Sequence, residues 1–319
     1  MTAGTIDNTR SGPSGPASVS LRSSRSRIGE RIILGLLFTC GAISILTTLG
    51  IVFVLFRDAL AFFGNVSIVD FLTDTAWQPF GGIERGRFGV LPLLLGTLLV
   101  TGIAMAVAVP LGVGSAMYLS NYAPARVRGI LKPVLEVLAG VPTIVLGFFA
   151  LTFMTPLLQA LLSRDNVNVY NAASAGIVMG IMIIPTIASL SEDAMSAVPA
   201  GLRESAYGLG ATRRQVVVRV VFPAALSGIV AAVILGFGRA IGETMIVAIA
   251  AGNQPSLTLN PLNQIQAMTA YIVQAVGGEQ PRGSLGYESI FAVGALLFII
   301  TFSVNILAQR FVRRFREVY

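Results

Sequence analysis

The stretch GLRESAYGLGATRRQVVVRVVFP, residues 201–223, decides the fold. It carries Arg203, Arg213, Arg214 and Arg219, yet it lies between two apolar runs at about 171–194 and 224–250. Its own pattern is helical. The segment AGLRESAYGLG reads as a short helix ending at Gly208 or Gly210, because glycine enters the left-handed conformation of a helix C-terminus without a steric cost. Thr212, followed three residues later by Gln215, forms a capping box that restarts a helix, and Pro223 ends that piece. A short helix with a small surface (Ser205, Ala206, Gly210) between two long apolar runs is suited to sit in a groove of another protein.

Working outward, the composition explains the flanking runs. The chain has 319 residues, 54% hydrophobic and 12% charged, against about 25% charged in a soluble domain. It therefore reads as an all-α integral membrane protein. Six apolar segments, at about 32–57, 89–119, 134–162, 171–194, 224–250 and 288–311, have the roughly 20-residue length that crosses a hydrocarbon core. Pro110 and Pro142 are expected to break the second and third, and Pro185 lies in the fourth. Residues 1–30, rich in Ser, Gly, Pro and Arg, read as a disordered tail and not as a signal peptide. Residues 31–312 form the membrane domain and 313–319 a short second tail. The single cysteine, Cys40, excludes a disulfide framework, and the absence of histidine excludes His-based catalysis and His metal sites. No GxxxxGK[ST] phosphate loop is present and no nucleophile–base set stands out, so the chain reads as non-catalytic.

Lys and Arg are distributed unevenly about these spans. With the N-terminus inside, the outer side holds only Arg57, Arg85, Arg87, Arg164 and Arg282, Arg239 is intramembrane, and all others are cytoplasmic. This places both termini in the cytoplasm of a multi-pass cell-membrane protein. It also accounts for the net charge of +7 without nucleic acid. Two outer connections, about 58–88 and 251–287, are long enough to dock a partner or cap an entrance, or serve simply as connecting structure; Trp77 in the first suits an interfacial anchor.

The inner connection resembles the cytoplasmic loop of binding-protein-dependent ABC import permeases. Their pattern is Glu-Ala-Ala, three residues, Gly, nine residues, Ile-x-Leu-Pro; here it is Glu204-Ser205-Ala206, Gly210, then Val220-Val221-Phe222-Pro223. The register matches, with Ser, Val and Phe at three positions. The resemblance covers about residues 90–312 and implies a MetI-like fold in which the loop, 199–223, is a coupling helix. It implies that Arg203, Glu204, Ser205, Ala206, Tyr207, Gly208 and Gly210 dock on a separate ATPase, which alone holds ATP and Mg.

The fifth span contains GFGRAIGETMIV, with Arg239 and Glu243 four residues apart. Each charge costs about 2.5–3.5 kcal/mol near a span centre, so the pair is a functional-site hypothesis. On a continuous helix the two share a face, with Gly228, Ala232 and Gly236 below them as a small-residue stripe that suits a narrow solute path. An intrahelical ion pair fixing span packing is the alternative, supported by the Gly238–Gly242 spacing. Arginine suits an oxyanion, and a neighbouring carboxylate suits one that keeps a proton, such as hydrogen phosphate. This segment, with LEVLAGVPTIVLGFFAL and GTLLVTGIAMAVAVPLGVGSAMYLSNYAP, resembles the PstC-type permeases of high-affinity phosphate ABC importers. That resemblance implies a substrate path through Arg239 and Glu243. It also implies a PstA-type permease partner, two copies of a PstB-type ATPase and an external PstS-type phosphate-binding protein. An importer of molybdate or sulfate is the other reading. Lys132 and Glu136 are expected to pair along one helix, and Glu192 and Asp193 to form a solvated helix end or an ATPase contact.

Overall fold

A computed structural model describes residues 27–79, 86–278 and 281–314; most of the two expected tails lies outside these. The helices are α1 Arg27–Phe63, α2 Ile68–Thr73, α3 Leu91–Asn121, α4 Ala125–Ala139, α5 Thr143–Phe149, α6 Thr155–Leu162, α7 Ala172–Ser196, α8 Ala200–Gly208, α9 Arg213–Val216, α10 Phe222–Ala224, α11 Leu226–Gly242, α12 Met245–Ala250, α13 Met268–Gly277 and α14 Leu285–Arg314. A π-helical turn, Ala150–Met154, joins α5 to α6, and another, Val217–Val221, joins α9 to α10. Among the described residues five helices are long and apolar enough to cross a membrane, and Arg213–Ala224 with Leu226–Gly242, bent by 69°, adds a sixth when the pair is counted as one span.

Two expected spans are divided differently. The third is split at residues 140–142, where Pro142 has no N–H to donate, disfavours a helical residue before it and is itself extended at ψ 131; α4 is thereby separated from the apolar segment Thr143–Leu162. The fifth ends at Gly242. By contrast α3 runs through Pro110 and α7 through Pro185 without a break, since close neighbours accommodate the lost backbone bonds.

The chain divides into Met1–Ile51 and Val52–Tyr319. In the first unit, the described helix shows exposed apolar side chains, including Ile33, Leu37, Ile45 and Leu49. The second unit is built on α3 against α7. Glycines let these helices approach: a Cβ on Gly180 would stand 2.9 Å from the Ala104 carbonyl oxygen, and one on Gly176 would stand 2.7 Å from the Ile103 side chain. Ala104, Ala108, Met179, Met182, Ile183 and Ile187 fill the seam. Helix α11 packs on α7 through Gly228 against Ala194 and Gly236 against Ile187. The Gly228–Ala232–Gly236 stripe is thus a helix contact and not an open solute path, because its missing side chains are what the neighbouring helix occupies.

The described residues of the segments 58–88 and 251–287 are integral parts of this unit. Trp77, 3% exposed, sits among Phe62, Phe71, Phe88 and Tyr271, its ring edge-on to Tyr271 at 4.8 Å. It is a core residue, not an interfacial anchor. A two-residue antiparallel ribbon pairs Trp77 with Phe88 and Gln78 with Arg87, and Arg87 Nε donates to Asp74 Oδ2 at 3.0 Å. Residues 261–268 lie against α3 and the start of α7. Ala172 and Ala173 N–H donate to the Asn263 and Pro261 carbonyls, and Met268 N–H donates to Thr97 Oγ1. Gln266 and Tyr271 are buried.

Candidate functional site

Helix α8 stands on the surface with Glu204, Ser205, Tyr207 and Gly208 exposed. Its start follows Pro199, whose fixed φ suits a helix entry. At its end Gly210 takes φ +80 and Leu209, 89% exposed, projects outward. The expected capping box forms: Gln215 N–H donates to Thr212 Oγ1, and Thr212 N–H donates to Gln215 Oε1 at 2.8 Å. Two arginines seat the loop. Arg203 Nη2 donates to the Met195 carbonyl at the end of α7. Arg213 donates to the Asn121 carbonyl at the end of α3 and lies 5.1 Å over the Tyr122 ring. Ala206 packs toward Met195, Val216 and Val221.

Arg239 and Glu243 do not meet on one helix face. Helix α11 stops at Gly242 and Glu243 is extended, at φ −68 and ψ 133. Its Oε1 accepts from the N–H groups of Met245 and Ile246 at 3.1 and 3.3 Å, capping the first turn of α12. Its carbonyl accepts from Thr269 Oγ1 at 2.8 Å. The local chemistry explains the break: a carboxylate that satisfies two free N–H groups of a following helix competes with continuation of its own. Arg239, partly buried in the last turn of α11, faces favourably signed backbone carbonyls there. Its Nη1 donates to Thr186 Oγ1 on α7 at 2.9 Å. Among the described residues no carboxylate pairs with it, so the expected alternative of an intrahelical ion pair is not what forms.

Nor does Lys132 pair with Glu136. Lys132 Nζ reaches Glu192 Oε2 at 3.0 Å and Asp193 Oδ1 at 3.1 Å on α7. Arg128, one turn earlier on α4, also binds Glu192, as does the Ser196 hydroxyl. Glu192, its side chain 1% exposed, is a buried anchor for α4 and not a solvated helix end. Its cations lie four residues apart on α4, a spacing visible in the sequence; the partner on another helix was not. Thr186 likewise went unnoticed because one hydroxyl in an apolar run gives no signal until the fold brings an arginine to it.

A bundle of membrane-length helices with an exposed surface helix seated on two of them, and Arg239 in the last turn of a broken span, fits the permease subunit of a membrane transporter. The chain belongs to the binding-protein-dependent transport system inner membrane component family, whose model matches residues 108–317. It is 35% identical over 254 residues to the probable ABC transporter permease protein YqgH of Bacillus subtilis, covering 80% of each chain. It is 34% identical over 265 residues to the phosphate transport system permease protein PstC of Haemophilus influenzae, covering 77% of this chain and 82% of that one. Among solved structures, a bacterial transporter importing the acidic polysaccharide alginate superposes with a TM-score of 0.64 at 16% identity, covering 92% of this chain and 100% of that one. The MetNI methionine transporter does so at 0.52 and 20% identity, covering 72% and 95%. At these identities the two structures speak to the fold.

Proposed function

We propose that this permease subunit conducts phosphate across the cell membrane as one half of a heterodimer with a PstA-type permease. Two PstB-type ATPases drive it, holding the ATP and Mg, and a PstS-type binding protein delivers the anion. The names of the PstC relatives support the substrate class. The observation that carries the reading is Arg239: a guanidinium inside a span, bonded to a neutral hydroxyl and, among the described residues, to no carboxylate, keeps its charge available to an oxyanion. Glu243 contributes by ending α11 beside it. The exposed face of α8, with Glu204, Ser205, Tyr207 and Leu209, supports docking on the ATPase. The Lys and Arg asymmetry supports cytoplasmic termini and puts α8 on the same side.

The test is uptake of radiolabelled phosphate by the complete complex in proteoliposomes with saturating binding protein. Arg239→Ala is expected to lower uptake at least a hundredfold while the complex still assembles. Wild-type uptake by that variant, or transport of molybdate or sulfate in preference to phosphate, refutes the reading.

A further inference from the structure

Several threonines of this chain, Thr39, Thr48, Thr97, Thr152 and Thr301, turn the hydroxyl back to donate to the carbonyl four residues earlier. Thr47, Thr101 and Thr186 make no such bond, and of these Thr186 alone receives a charged donor. It sits one residue past Pro185 in the middle of α7, accepts the hydrogen bond of Arg239 at 2.9 Å, and has no acceptor for its own proton among the described residues. A hydroxyl is the neutral group that can accept from a guanidinium and donate to an anion at once. A carboxylate at the same place would neutralise the arginine and repel an oxyanion. The surroundings leave room: apart from their chain neighbours and their own helix backbone, Gly238 and Gly242, beside Arg239 on α11, have no heavy atom within 4 Å of where a Cβ would stand. In contrast, Gly236 is tightly packed on Ile187.

We propose that Thr186 and Arg239 act as one oxyanion contact spanning α7 and α11. The hydroxyl of Thr186 orients the guanidinium by accepting from Nη1, and donates its own proton to the anion held on the remaining guanidinium N–H groups. Ser189, three residues on along α7, continues the same helical stripe. This assignment rests on the phosphate-path reading of Arg239.

The experiment uses the complete complex in proteoliposomes, with binding protein saturating and inorganic phosphate as the probe. Thr186→Val keeps the branched shape and removes the hydroxyl; Thr186→Ser keeps the hydroxyl and trims the methyl. Thr186→Val is expected to slow uptake roughly tenfold or more, as for loss of one hydrogen bond to a charged group. Thr186→Ser is expected to stay within about threefold of wild type, since its hydroxyl retains both bonds. Should the valine complex fail to assemble, Thr186→Ala is read in the same way. Two results overturn the assignment: wild-type uptake without the hydroxyl, or equal impairment of the serine and valine variants, which would mark a packing role. If either occurs while Arg239→Ala is inactive, the phosphate-path reading survives without Thr186; if Arg239→Ala transports normally, that reading itself falls.

Discussion

Glu192 offers a quantitative test of how α4 is fixed to the bundle. Its carboxylate, 1% exposed, is shared by Arg128 and Lys132, whose side chains are 42% and 34% exposed. The two kinds of deletion are therefore unequal. Removing one cation leaves the carboxylate with the other, and water covers the change in part, so Arg128→Ala or Lys132→Ala should each cost about 1 kcal/mol. Removing both strands a buried carboxylate with only the Ser196 hydroxyl, at a cost of about 3–5 kcal/mol. The double variant should thus exceed the sum of the singles by about 1–3 kcal/mol. Thermal unfolding of the purified complex, with a double-mutant cycle, measures this. A double variant no worse than additive would refute the shared anchor. Hydrogen bonds donated to Glu192 and then to Asp193 hold the Lys132 ammonium above its ordinary range. A raised lysine adds stability that is complete below its usual value near 10.4 and fades only as pH rises past its folded value, so the coupling should stay constant from pH 6 to about 9.

Glu243→Ala should destabilise the junction of α11 and α12 by about 1 kcal/mol or more, and Glu243→Gln, which keeps the Oε1 acceptor, should cost much less, as read by thermal unfolding. Leu209→Asp at the exposed end of α8 should reduce ATPase recovery on co-purification while leaving the permease folded; full recovery would argue against docking there. The Arg87 guanidinium holds the Asp74 carboxyl below its ordinary value, chiefly through their hydrogen bonds. That contribution is present above the usual carboxylate pKa near 4 and is lost as pH falls through the lower folded value. The stability difference between wild type and Arg87→Ala should accordingly shrink under acid, followed by tryptophan fluorescence of Trp77.

The local grammar of residues 199–223 was largely legible because it depends on neighbours in sequence: a glycine stop and a capping box act within one or two turns, whereas Pro223 lies in the first turn of α10 and the helix breaks only after Ala224. Apolar length likewise revealed most spans. What depends on contacts between helices was not legible. The Gly228–Ala232–Gly236 stripe reads the same whether it lines a path or receives another helix. Lys132 has Glu136 at helical spacing, yet two carboxylates on α7 win because one of them is buried and needs a partner. The hardest case was Glu243, where a side chain that looks like one more helical position instead terminates the helix. Only the free N–H groups of the following turn disclose that choice.

Helix α7 receives both arginine attachments. The Met195 carbonyl near its end receives Arg203 of α8, and Thr186 in its middle receives Arg239. Nine residues separate them, roughly 14 Å along one unbroken rod. The surface helix and the membrane arginine are thereby two fittings on a single shaft, so a tilt imposed at one end changes the angle at which the other presents its guanidinium.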